Sequence, residues 1–143
     1  MKRGDVTRAI EWLEHGLDKF PRSDAVKNNL AMLYESVGRY EDAEKLYCQV
    51  LARESDSHVV VRNLADLYYR LTLYGAALEY YEQIPDDHRD SPMLMNLGHI
   101  YLSRGDHKDA LFFFERAHEM NPDNIEATYA VKALRELVSS SGL

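Results

Sequence analysis

Asn29, Asn63 and Asn96 each stand directly before a leucine, at spacings of 34 and 33 residues. A carboxamide offers both a donor and an acceptor, so a row of them can satisfy the backbone of an extended peptide whatever its side chains are. Asparagine is a mediocre helix former, so three in phase ask for a reason. Bonds from each amide to a neighbouring helix or loop would also be a reason. The other chemistry-bearing residues form no constellation. The six histidines show no metal-ligand spacing, with His99 and His107 in separate segments and no cysteine–histidine pairing. Cys48, the single cysteine, excludes an internal disulfide and reads as a small buried or half-buried filler. The carboxylates are spread as solvated charge, and neither a phosphate loop nor a nucleophile–base pair stands out. The reading is therefore not an enzyme, with no cofactor and no metal.

The elements that position the asparagines come from an internal repeat. Leu30-Ala31-Met32-Leu33-Tyr34 returns 34 residues on as Leu64-Ala65-Asp66-Leu67-Tyr68, and 33 further as Leu97-Gly98-His99-Ile100-Tyr101. A second block follows each time: Ala43 with Tyr47, Ala77 with Tyr81, Ala110 with Phe114, and once earlier Ala9 with Leu13. Leu30, Ala31 and Tyr34 share a helical face, and the small residues of both blocks let two helices approach closely. Each unit is a helical hairpin that must stack on the next to bury its apolar face. The phase predicts helices over 5–20, 23–37, 40–53, 57–71, 74–84, 91–104, 107–120 and 124–138. Ser91-Pro92 reads as an N-cap followed by proline at the first helical position, and Gly38 and Gly105 as tight turns. Asp123 or Asn124 can cap the last helix. Pro85 predicts a shortened fifth helix. Arg3-Gly4-Asp5 repeats Arg104-Gly105-Asp106, the turn inside a repeat, rather than marking a receptor-binding motif.

Leu, small residue, Tyr, then Ala, aromatic and Pro, in phase over several copies, resembles the tetratricopeptide repeat. Pro21 and Pro122 fill the closing proline slot and Ser55 replaces it in the middle, while Lys27, Val61 and Leu94 stand where the family opens with tryptophan. The resemblance covers about Gly4 to Asn124. It implies an all-α, right-handed superhelix of antiparallel helix pairs with a C-terminal capping helix. The whole chain, 1–143, reads as one such domain. Residues 4–22 are the second helix of an incomplete first repeat, and 24–57, 58–90 and 91–124 are repeats, the middle one with a shortened second helix. Residues 125–138 cap the end, with Ile125, Tyr129, Leu134, Leu137 and Val138 packing back and 139–143 frayed.

The resemblance also implies a concave groove as the working surface. The asparagine slot faces that groove in this family and looks like the asparagine ladder of the O-linked N-acetylglucosamine transferase and importin-like solenoids. Peptide-binding residues are thus expected at Asn29, Asn63 and Asn96, with Asn28, Met32, Arg62, Asp66, Tyr69, Arg70 and His99 beside them. Glu35 and Asp66 oppose a basic clamp for a C-terminal carboxylate. The ten tyrosines mostly occupy core slots, so stacking on bases or sugars is not expected of them.

Composition fits this reading. Hydrophobic residues at 45% and charged ones at 29% give an ordinary globular mixture, outside the signature of disorder. The net charge of −7 leaves no basic face for phosphates, which argues against nucleic acid. No apolar run approaches the ~20 residues that span a bilayer. The expected partner is a protein or peptide, and the expected location is cytoplasmic, or periplasmic for a fragment of a longer chain. Two alternatives stay open: a homo-oligomeric scaffold formed through the open N-terminal face, where Trp12 stands, and a regulatory or adaptor segment of a larger enzyme or secretion complex.

Overall fold

A computed structural model of the chain describes residues 3–53 and 57–140. Ser55 and residues 141–143 lie outside the described residues. Among the described residues all regular structure is helical: α1 (Arg3–Lys19), α2 (Asp24–Ser36), α3 (Tyr40–Arg53), α4 (His58–Arg70), α5 (Tyr74–Tyr81), α6 (Ser91–Ser103), α7 (His107–Met120) and α8 (Ile125–Ser140). The expected segments are all present, and their ends differ from expectation by three residues at most.

The helix ends follow local chemistry. Ser23 caps α2 by accepting from the Val26 amide at 3.3 Å, and Asn124 caps α8 through Ala127 at 3.1 Å. The cap of α6 is Asp90, one residue earlier than expected. Its carboxylate accepts from the Met93 amide at 3.1 Å, and the Ser91 hydroxyl donates instead to the Ala117 carbonyl. One turn closes three first-type helices: the carbonyls of Tyr34, Tyr68 and Tyr101 accept from Arg39, Leu73 and Asp106 at 2.8, 2.8 and 3.0 Å. That turn needs a left-handed residue. Gly38 and Gly105 supply it at φ +81° and +79°, whereas Thr72 adopts φ +60° despite its branched Cβ.

The chain divides into two compact units, 1–73 and 74–143. In the first, α2 packs on α1 and α3, and α3 on α4. Its core is the repeated slots: Leu30, Ala31, Ala43, Tyr47, Leu64 and Ala65 are at most 1% exposed. Lys27, in the tryptophan slot, is also buried, at 8% exposure. Tyr34 donates to Glu14 of α1 at 3.0 Å, and the Arg39 guanidinium sits 4.2 Å above its ring.

In the second unit, α6 packs on α5 and α7, and α7 on α8. Ala77, Tyr81, Leu94, Ile100, Ala110 and Phe114 are fully buried, each large side chain contributing roughly 1.5–3 kcal/mol by leaving water. Gly98 is where α6 and α7 approach most closely: a Cβ there would lie 2.8 Å from the Phe114 ring. Tyr101 stacks on Phe113 with ring centroids 5.4 Å apart. Helix α5 ends early because Pro85 cannot continue it. The chain after it turns through a short 3₁₀ segment, Asp86–His88. Buried Ile84 and the Arg89 guanidinium, which donates to the Tyr81 carbonyl at 3.3 Å and to Asp86 at 3.0 Å, hold that segment down.

Two expectations are corrected. Cys48 is exposed rather than a filler. Helix α8 does cover α7, through Ala127, Val131 and Leu134, but Ile125, Tyr129 and Leu137 do not pack back; they are 70%, 68% and 46% exposed. Val131 and Leu134 lie on one stripe of the helix and Ile125, Tyr129 and Leu137 on another, and only the first faces a neighbour.

Candidate protein-binding faces

The first-type helices carry the polar residues that the repeat phase singled out, and each unit positions its own set. In the first unit, α2 and α4 meet through side chains. The Asn63 amide donates to the Asn28 carbonyl oxygen at 2.9 Å, and Arg70 reaches Glu35 at 3.4 Å. Along α4, Arg62 pairs with Asp66 at 3.5 Å, one helical turn away. These contacts border a cleft of about 270 Å³ lined by Met32, Glu35, Ser36, Asn63, Asp66 and Arg70. Asn28 lies beside it, its amide 4.0 Å from the Met32 sulfur. Tyr69 is half-buried on the same helix. Asn29 is exposed on α2 and does not line the cleft.

In the second unit, Asn96 donates to the Tyr81 hydroxyl at 3.0 Å. His99 lies edge-on to Phe114, with centroids 5.2 Å apart, and its Nε2 is 2.8 Å from a Glu126 oxygen on α8. Asn63 and Asn96 thus each hold a bond within the chain, and each keeps its own carbonyl oxygen and second amide hydrogen for other partners.

The residue that sequence reasoning undervalued is Glu35. Its side chain is 10% exposed, accepts a hydrogen bond from the fully buried Tyr47, and faces Arg70. Burial holds its carboxyl above the usual carboxylate range, while the Tyr47 hydroxyl and the Arg70 charge pull the other way. Burial, then the bond to Glu35, pushes the Tyr47 phenol far above its ordinary value. The usable signal was the reach of an aromatic-slot tyrosine hydroxyl into the cleft wall, since a buried tyrosine seeks a partner. The cleft thus has a fixed, charge-matched floor and an exposed rim of Met32 and Arg70, suited to holding a polar segment rather than to chemistry. Among the described residues no group of three or more histidine, cysteine or carboxylate side chains could hold a metal, and no helix is long and apolar enough to cross a membrane.

Helical hairpins repeating every 33 or 34 residues around alanine and aromatic slots define a helical-repeat protein. Models of the tetratricopeptide repeat match residues 1–59, 37–97 and 92–124. The chain belongs to the tetratricopeptide repeat family. Tetratricopeptide repeat protein 8 of Caenorhabditis elegans is 28% identical over 120 residues, 83% of this chain. The chain spans about a quarter of that relative's length, 24%. Among solved structures, MamA superposes with a TM-score of 0.83 at 20% identity, over 95% of this chain and 75% of MamA. The first repeat domain of Spaghetti (RPAP3), solved with an HSP90 peptide, SRMEEVD, gives 0.69 at 20% identity, over 81% of this chain and 93% of that one. These likenesses bear on the fold.

Proposed function

We propose that the chain is a protein-interaction module that takes an extended partner segment on the faces of its first-type helices. The observation that carries this reading is the cleft between α2 and α4. Every residue lining it, Met32, Glu35, Ser36, Asn63, Asp66 and Arg70, comes from a slot that the repeat phase marked for binding. In the reading, the free halves of the Asn28 and Asn63 amides bond the backbone of the segment. Arg70 and Asp66 select its charged side chains, and exposed Met32 contributes apolar contact. Asn29, Asn96, Tyr69, Arg62 and His99 belong to the same set of slots. Affinity from so few side chains is weak to moderate, and further repeats or a second contact would raise it by avidity.

The test is selection of binding peptides from a random library on the wild-type chain. Recovery is then compared with an Asn29→Ala, Asn63→Ala, Asn96→Ala triple variant, whose folding is checked by circular dichroism. Selected peptides should lose most of their binding to the folded variant. Equal recovery by both proteins would remove the amides from the function, and failure to select any peptide would count against the module itself.

A further inference from the structure

We propose that two copies of this chain pair head to tail, the outer face of α8 in one copy packing against the outer face of α1 in the next to complete a helical hairpin. This uses faces other than the proposed peptide cleft and does not depend on it.

The phase of the two helices comes first. Ala127, Val131 and Leu134 repeat Leu94, Gly98 and Tyr101 at a shift of 33, so α8 is a helix of the first type. Ala9 and Leu13 repeat Ala43 and Tyr47 at a shift of 34, so α1 is a helix of the second type. Each helix therefore lacks the kind of partner that the other supplies. Their lengths match, at 17 and 16 residues, or roughly 25 Å each at 1.5 Å per residue.

Burial shows that both faces are open. In the complete repeats the slots of the second-type helix are sealed: Ala43, Ala77, Ala110, Tyr47, Tyr81 and Phe114 are all 0% exposed. Their α1 counterparts Ala9 and Leu13 are only half-buried, and Trp12 beside them is 84% exposed. Trp12 occupies the slot of Phe113, which in the second unit stacks on Tyr101 of its first-type helix. On α8, Ala133 is exposed where its counterpart Ile100 is 0% exposed, and Tyr129 and Leu137 flank it along the same stripe. An apolar stripe with a tryptophan opposite a stripe with a tyrosine is the composition of an interface centre. At the register used by α6 and α7, Val131 would meet Leu13 where Gly98 meets Phe114. A larger residue then stands opposite a smaller one, and the volume is conserved. Charges on both exposed faces alternate in sign, Asp5, Arg8 and Glu11 on α1 and Glu126, Lys132 and Glu136 on α8. No like-charge block opposes the contact.

Because the two faces differ, the pairing is heterologous and each copy keeps one free end, so assembly proceeds beyond two copies unless it closes into a ring. That sets up a test no symmetric contact would pass. Trp12→Glu spoils the α1 face but leaves α8 intact; Tyr129→Glu does the reverse. Both residues are exposed, so both variants fold. Sedimentation velocity of the wild-type chain from micromolar to near-millimolar concentration should show growing species. Each variant alone should associate at least about 30-fold more weakly, as expected for loss of an interface anchor. The two variants mixed should form a species limited to one copy of each, with the emission of the single remaining functional Trp12 shifted to the blue. A wild-type chain that stays monomeric overturns the proposal, as does undiminished association of either variant alone or a mixture that does not pair. Peptide selection on the Trp12→Glu variant reports the cleft separately, so failure of one reading leaves the other measurable.

Discussion

Gly98→Ala tests how closely the hairpins are packed. A Cβ built on Gly98 lies 2.8 Å from Cε1 and Cζ of Phe114 and 2.9 Å from Cδ1, against the roughly 3.5–4.0 Å of a relaxed carbon contact. The ring cannot yield freely, because Phe114 is 0% exposed and His99 stands edge-on to it at 5.2 Å. Overpacking of this kind costs about 1–3 kcal/mol. Alanine in place of glycine inside a helix returns about 1 kcal/mol. The net expectation is a loss of about 0–2 kcal/mol, which alone is a soft test. A double-mutant cycle hardens it. In a Phe114→Leu background the flat ring is gone, the clash is relieved, and the same alanine should be stabilising by about 1 kcal/mol. The coupling between the two sites should therefore be about 1–3 kcal/mol. Urea denaturation followed by circular dichroism at constant slope measures all four proteins. If Gly98→Ala gains about 1 kcal/mol in both backgrounds, the two sites are uncoupled and the reasoning about close approach is wrong.

Thr72→Gly should stabilise the chain by about 0.5–1 kcal/mol: the left-handed conformation costs a residue with a Cβ roughly 1–2 kcal/mol, offset in part by the greater freedom of glycine in the unfolded chain. Thermal melts against a Gly38→Ala control, which should move the other way, check this. Stability should fall as pH rises past about 10, the ordinary tyrosine value. The folded state holds the Tyr47 phenol protonated while the unfolded chain ionises there, so the stabilisation is complete below that pH and is lost above it. Tyr47 alone contributes about 1.4 kcal/mol per pH unit. Tyr47→Phe should flatten this slope in denaturation curves taken at successive alkaline pH values.

The hairpin framework was legible because it is written twice, once in periodicity and once in punctuation. Gly38, Gly105, Pro21, Pro85 and Pro122 bracket the helices, and the alanine–aromatic slots fix which face is buried. The two stripes of α8 were not separable. Both are apolar at helical spacing, and periodicity does not say which one has a neighbour. The cap at Asp90 was misplaced by one residue because Ser91 is an equally good capping type. At the candidate site, the slots of Met32, Asn63, Asp66 and Arg70 could be read from the phase, since the same face recurs in each copy. Their partners could not. Asn63 bonds Asn28, and Asn96 bonds Tyr81, because of side-chain reach between helices that sequence spacing does not encode. Glu35 follows the same rule: its environment comes from Tyr47, twelve residues on, and Arg70 on another helix.

The claim that the first-type helices are the working surface is tested most directly by mapping where a selected peptide binds. Amide and side-chain carboxamide shifts of the isotopically labelled chain would be followed during titration with the peptide. The account expects the largest changes at Met32, Asn63, Asp66 and Arg70, with the Asn28 and Asn63 side-chain amides moving together. Changes confined to the outward faces of α3 or α7, around Glu41 or Phe112, with the α2–α4 cleft unmoved, would contradict it.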